Sequence, residues 1–178
     1  PESPTSMRYF VGDFDGRRFS APDSERGREV DHGPDFYAAQ SWSHLEPVTW
    51  TAWLGNWAYA RRTPSDGWRG VMAIPRRVSL SQGLEGLRLR QWPVPALGAM
   101  GRSEETPALV EISADWTQIA TRCEAFDLRM AIEAVTAQIV LLELFAAPGQ
   151  AARLRWEVTT ETLVLDLTTA SSGIDDPQ

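Results

Sequence analysis

The chain has 178 residues, 43% hydrophobic and 23% charged, with a formal net charge of −7 and a sequence pI near 4.9. That is globular composition with enough length to bury a core, and it excludes a disordered chain; Cys123, the single cysteine, excludes a disulfide scaffold. All seventeen basic residues are Arg and they form no long run, so an acidic chain gives no footing for nucleic acid or an anionic membrane, and no apolar run reaches the roughly 18 residues of a membrane span.

In chain order, Tyr9-Phe10-Val11-Gly12 leading into Asp13-Phe14-Asp15-Gly16 predicts a strand entering a tight turn, with Arg17-Arg18-Phe19 as the return strand. Phe36 to Ser41, Val48 to Trp53 and Gly70 to Ile74 are the next strand candidates, each punctuated by Gly, Pro or Asp. The texture changes near Pro75 to Leu80. Trp42, Trp50, Trp53, Trp57 and Trp68 precede that point and only Trp92, Trp116 and Trp156 follow it, so residues 1–77 and 78–178 are expected to be separate domains. Pro93-Val94-Pro95 reads as a linker or edge segment, since Pro cannot donate to a ladder.

The second part alternates with period two. Val110, Ile112 and Ala114 stand against Glu111, Ser113 and Asp115, and Leu154, Trp156 and Val158 against Arg153, Arg155 and Glu157. Leu163, Leu165 and Leu167 repeat the pattern, which is that of half-buried strands. Ala125 to Ala147 carries helix formers without Pro or Gly. Yet Leu128, Met130 and Ile132 alternate with Arg129, Ala131 and Glu133, and Val140, Leu142 and Leu144 can line one face, so two strands are expected there. Ser171 to Gln178 reads as a loop. The expected fold class is all-β.

Candidate functional residues crowd into three clusters: Asp31-His32-Gly33-Pro34-Asp35-Phe36-Tyr37-Ala38-Ala39-Gln40-Ser41-Trp42, Trp53-Leu54-Gly55-Asn56-Trp57-Ala58-Tyr59-Ala60, and Trp68-Arg69-Gly70-Val71-Met72-Ala73-Ile74-Pro75-Arg76. Aromatic faces stack on the C–H surfaces of sugars, and carboxylates and amides bind hydroxyls. His32 and His44 are the only histidines and lack ligand-like spacing, so no metal is expected. No phosphate loop, Ser elbow or dinucleotide fingerprint occurs, and no cofactor is expected.

These clusters resemble the family 32 glycoside hydrolases, the β-fructosidases of levanase, exo-inulinase and invertase type. Residues 31–40 match the family's Asp-x-Gly-x-Asp-Phe-Tyr-Ala-x-Gln signature. Phe10 to Gly16, Trp53 to Tyr59 and Trp68 to Arg76 match its neighbouring segments in order. The resemblance is strong over residues 8–80 and weaker beyond. It implies the last part of a five-bladed β-propeller followed by a β-sandwich. Leu163 to Thr168 is similar to a family sandwich strand, with Leu167 where the family has Arg, and the chain is expected to be truncated at both ends.

The implied reaction is retaining hydrolysis of terminal β-fructosyl linkages in fructans or sucrose, which needs two carboxyl groups about 5–5.5 Å apart. The family places its nucleophile in Asn-Asp-Pro-Asn, a stabilising Asp in Arg-Asp-Pro and its acid/base Glu before a Cys. None of these motifs occurs here, and Cys123-Glu124 has the reverse order. No catalytic residue is therefore assigned, and this chain alone is expected to be inactive.

The resemblance implies substrate contact by Trp57 and Tyr37, a preference-shaping role for Asp31, and hydroxyl binding by Asp35 and Asn56. Each has a plainer reading: a core Trp, a packing Tyr, turn caps for the two Asp, a turn role for Asn56. Trp42, Trp50, Trp53 and Trp68 are assigned to packing, and Arg69 and Arg76 to acidic partners along blade edges. The alternative function is a non-catalytic carbohydrate-binding or structural β-protein. A fructan substrate implies an extracellular or periplasmic protein, a sucrose substrate permits a cytoplasmic one, and nothing in these residues sets an oligomeric state.

Overall fold

The computed structural model describes residues 5–21, 27–63, 67–84, 86–101, 111–119, 126–133 and 135–170. Among them every regular element is a strand apart from one 3₁₀ turn, Pro95–Ala99, so the chain is all-β. It divides into two compact units, Pro1–Asp127 and Leu128–Gln178.

The first unit opens with two small ribbons. Strand β1 (Arg8–Tyr9) pairs antiparallel with β4 (Arg28–Glu29). Between them, β2 (Asp13–Phe14) pairs with β3 (Phe19–Ser20), Phe14 lying opposite Phe19. The expected Asp-Gly turn forms, with Gly16 at φ 93° and the Asp15 carboxylate accepting from the Arg17 and Arg18 amides at 2.7 and 2.6 Å. Those amides, Arg18 first, hold the exposed Asp15 carboxyl below its usual range. The strand expected over residues 9–12 does not lead directly into the turn; its start pairs with β4 instead.

The main sheet is an antiparallel meander. Strand β5 (Tyr37–Ser41) pairs with β6 (Thr49–Leu54), β6 with β8 (Arg76–Gly83), and β8 with β9 (Gly86–Pro93). The short β7 (Val71–Met72) also pairs with β6, on the side that β8 extends. Met72 faces Trp53 and Arg76 faces Trp50, so the register slips by one residue across 73–75. Pro75 explains the slip: it has no amide to give the ladder, and a bulge absorbs it. The Ala73 amide still donates to the Ala52 carbonyl at 2.7 Å, while the Ala73 carbonyl accepts from the buried Thr51 hydroxyl at 2.7 Å. The boundary expected between residues 77 and 78 falls inside β8, and the β8–β9 hairpin continues the same sheet. Strand β9 is an edge, as the prolines around Val94 imply.

The core of this unit is small. Val30, Phe36, Ala52 and Ala73 are buried, with Met7, Tyr9, Ala39, Trp50 and Leu89 packed around them.

The second unit is a three-stranded antiparallel sheet of β10 (Ile139–Ala147), β11 (Gln150–Glu157) and β12 (Thr162–Asp166). Pro148-Gly149 closes the first hairpin, Gly149 taking φ 76°. Cross-strand register puts Val140, Trp156 and Leu163 in one row and Leu142, Leu154 and Leu165 in the next, an apolar face. The other face carries the Arg153–Glu143 ion pair at 2.7 Å. The helix propensity of Ala125 to Ala147 loses to this alternation at β10, where cross-strand packing outweighs intrinsic preference. The other strands expected here are not formed: residues 111–119 and 126–133 carry no ladder. Cys123 and Ser171 to Gln178 lie outside the described residues.

Candidate sugar-binding site

The site is built on the β5–β6 end of the first unit and on two connections that meet there, residues 31–36 and 55–63. Tyr37 begins β5 and lies opposite Trp53 of β6. Their rings meet edge to face with centroids 6.4 Å apart. Trp57 leaves the sheet after Asn56 and packs on the Trp53 indole, centroids 5.0 Å apart and planes tilted by 55°. The three rings thus form a run in which Trp53 is the middle support. Trp57 remains 64% exposed. It is an outward-facing indole on an aromatic base, not a core residue.

Two glycines make room for the support. A Cβ at Gly55 would stand 2.3 Å from the Trp53 ring, and one at Gly70 would stand 1.9 Å from its Nε1. Gly70 also takes φ 90°, a conformation that side chains resist. Trp53 therefore does pack, as its sequence position implies, but what it packs is the underside of the candidate site.

Asn56 is 3% exposed. Its Nδ2 donates to the Pro34 carbonyl at 2.9 Å and its Oδ1 accepts from the Ala58 amide at 2.9 Å. The amide thus ties one connection to the other and shapes the turn that presents Trp57. Asp35 accepts a hydrogen bond from the Tyr59 hydroxyl, a second tie between the same connections.

Asp31 sits at the inner end of the 31–36 connection. Its Oδ2 accepts from Arg76 Nη1 at 2.6 Å, and its Oδ1 from the Gly33 amide at 3.2 Å. Partial burial pushes its carboxyl upward, but the Arg76 hydrogen bond and charge and the Gly33 amide outweigh that, so its pKa lies below the usual carboxylate value. The Arg76 guanidinium also lies over the Phe36 ring, 4.2 Å from its centroid. Arg76 thus has the acidic partner its sequence position implies. Among the described residues Arg69 has none: its Nε donates to the Thr63 carbonyl at 3.3 Å. A depression of about 510 Å³ opens beside this end, with Asp31, His32, Arg76 and Gln91 among its walls.

Sequence reasoning named the five candidates Asp31, Asp35, Tyr37, Asn56 and Trp57, and the structure sets all five along these two connections and the adjoining strand end. It did not single out Tyr59, whose hydroxyl donates to Asp35, 24 residues away, or Gln91, whose partners Arg76, Trp50 and Val30 are 15, 41 and 61 residues away. Among the described residues no group of three His, Cys, Asp or Glu side chains could hold a metal ion. The arrangement offers an aromatic platform, carboxylates that already have hydrogen-bond partners and, among the described residues of these segments, no pair of free acids facing each other.

The model of the glycosyl hydrolases family 32 N-terminal domain matches residues 2–93. A levanase of Bacillus subtilis (strain 168) is 32% identical over 161 residues, 88% of this chain and 22% of the levanase. An invertase of Schwanniomyces occidentalis is 43% identical over 83 residues, 46% of this chain and 15% of the invertase. Among solved structures, an exo-inulinase from Aspergillus awamori shares the fold with a TM-score of 0.71 at 23% identity, over 96% of this chain and 36% of that one. The chain therefore spans well under half the length of the relatives it matches.

Proposed function

The chain belongs to glycosyl hydrolases family 32, and on that premise we propose that it is part of a retaining β-fructosidase acting on terminal β-fructosyl linkages in fructans or sucrose. The observation that carries the reading is the exposed Trp57 indole, seated on Trp53, whose own ring also meets Tyr37, within the family-like segments. A sugar ring laid on that indole buries C–H surface while its hydroxyls stay near polar groups. The names of the relatives, levanase and invertase, point to the same substrate class. Trp57 and Tyr37 are the residues we assign to direct contact; Asp35 is assigned to the rim, where its second oxygen can accept from a hydroxyl. Asp31 and Asn56 hold the wall in place.

We assign the four-stranded meander β5-β6-β8-β9 to the last of five propeller blades, and the β10–β12 sheet to a sandwich whose second sheet covers the apolar face. We assign the domain boundary to the stretch after Pro93, a reading supported by the unbroken β8 and by the family match over residues 2–93. The reactive carboxylates belong to segments that this sequence does not contain.

The test has two arms. The full reading frame around this chain is sequenced, and its product is assayed for fructose release from sucrose, inulin and levan. Asn-Asp-Pro-Asn, Arg-Asp-Pro and Glu-Cys segments upstream, with fructose released, are expected; the 178-residue chain alone releases none. A frame without those segments whose product still binds fructan would replace this reading with that of a non-catalytic binding protein.

A further inference from the structure

We infer that Gln91 is a positioning residue for the candidate sugar site: its side-chain amide clasps the 31–36 connection to the sheet and so sets where Asp35, Tyr37 and Trp57 stand. Gln91 lies on β9, three strands from β5. Its Nε2 donates to the Val30 carbonyl at 2.6 Å. Its Oε1 accepts from the Trp50 indole at 3.2 Å and from Arg76 Nη1 at 3.3 Å. One amide thereby joins the residue just before Asp31, the guanidinium that holds Asp31, and the indole that packs on Phe36 at 6.1 Å.

These contacts bear on the connection at its inner end. Val30 and Phe36 are both core residues, and the five residues between them run along the surface. The outer end is tied by Asn56 to Pro34 and by Tyr59 to Asp35. With both ends fastened, the connection has one conformation, and the residues it carries need no ordering when a sugar arrives. Releasing the inner end leaves the outer ties to hold a looser segment. Leu cannot replace this amide, because no apolar side chain can satisfy a carbonyl and two donors together. Glu can keep both donors but sets an oxygen against the Val30 carbonyl in place of that bond.

This inference rests on the reading of the site as a fructoside pocket, and its test separates the two. Hydrogen exchange is measured on the 178-residue chain, and kinetics on the intact product of the reading frame, for wild type, Gln91→Leu and Gln91→Glu. Gln91→Leu is expected to speed amide exchange at residues 32, 33, 35 and 36 by about tenfold or more while β10 to β12 keep their protection. It is expected to raise KM for a fructoside about tenfold with kcat changed less than about twofold, because the pocket wall binds ground state and transition state alike. Gln91→Glu is expected to fall between the two. A merely structural role would lower the active fraction and the melting temperature and leave KM where it was; unchanged KM in Gln91→Leu overturns the inference, as does unchanged exchange at 32–36. A wild-type product that splits no fructoside overturns the pocket reading, and the inference with it.

Discussion

Replacing Asn56 by Ala separates the two roles that its sequence position allows. Asn56 is 3% exposed, and its side chain donates to the Pro34 carbonyl and accepts from the Ala58 amide, each at 2.9 Å. Pro34 and Ala58 are themselves exposed, so water can reach their backbone groups once the amide is gone. The full penalty of stranding a buried polar group is therefore not incurred. Each lost bond costs about 1 kcal/mol on that footing. The small void left by the missing carboxamide raises the total to about 2–3 kcal/mol. For a chain of this size that lowers the melting temperature by roughly 4–10 °C. Tryptophan fluorescence during thermal or urea unfolding reports on the right region, because seven of the eight Trp lie in the first unit and only Trp156 lies in the second.

Asn56→Asp sharpens the test. The carboxylate keeps the acceptor that holds Ala58 but sets an oxygen against the Pro34 carbonyl. Its folded pKa is therefore raised above the unfolded value, and its protonated form can donate to that carbonyl. The sign follows: the variant is expected to be about as unstable as Asn56→Ala at neutral pH and to recover as pH falls through the raised pKa. If Asn56→Ala unfolds within about 0.5 kcal/mol of wild type while fructoside affinity drops more than about tenfold, the amide serves the sugar and not the loop, and the reasoning is refuted.

Trp57→Ala is expected to weaken fructoside binding by about tenfold or more in an isothermal titration, from loss of the stacking face, because the indole is more exposed than buried. Gly70→Ala is expected to destabilise the first unit by about 2 kcal/mol or more in urea unfolding and to shift tryptophan emission, since the new methyl would stand 1.9 Å from Trp53 Nε1 on a backbone with φ 90°. Asp31→Asn is expected to flatten acid unfolding. The Asp31 carboxyl ionises below its unfolded value, so its contribution is present above about pH 4 and is lost as pH falls through the lower folded pKa. A variant whose stability between about pH 5 and pH 2 falls as steeply as that of wild type would contradict this.

What the sequence made legible follows from where its information is local. Strands β5 and β6 announce themselves because aromatic and β-branched residues stand between Pro, Gly and Asp breaks. The β8–β9 hairpin is less plain. Pro75 and the Arg76-Arg77 pair read as punctuation, and only Leu87 and Leu89 alternating with Arg88 and Arg90 signal a strand. In the fold Pro75 is a bulge inside a continuing edge of β6, which no window of a few residues can reveal. At residues 111–119 and 126–133 the opposite happens: the alternation is present but no strand forms. Period two marks a segment able to line a sheet, and partners decide whether it does.

The same distinction sorts the candidate residues. Two acids four positions apart in one motif look alike in sequence and differ in use. Asp31 turns inward to Arg76, whose guanidinium also covers Phe36, and Asp35 turns to Tyr59. Asn56 is spent on Pro34 and Ala58. The polar residues of these segments are thus largely consumed in fastening two connections, and Trp57 is left facing out. A surface of that kind can orient a sugar ring but cannot protonate a leaving group or attack an anomeric carbon. Bond cleavage requires two carboxyl groups poised across the glycosidic oxygen, and each acid in this motif already has a partner. On the reading proposed above, the hydrogen bonds give this part of the chain the task of a rigid wall, whose value to a sugar site lies in how little it moves.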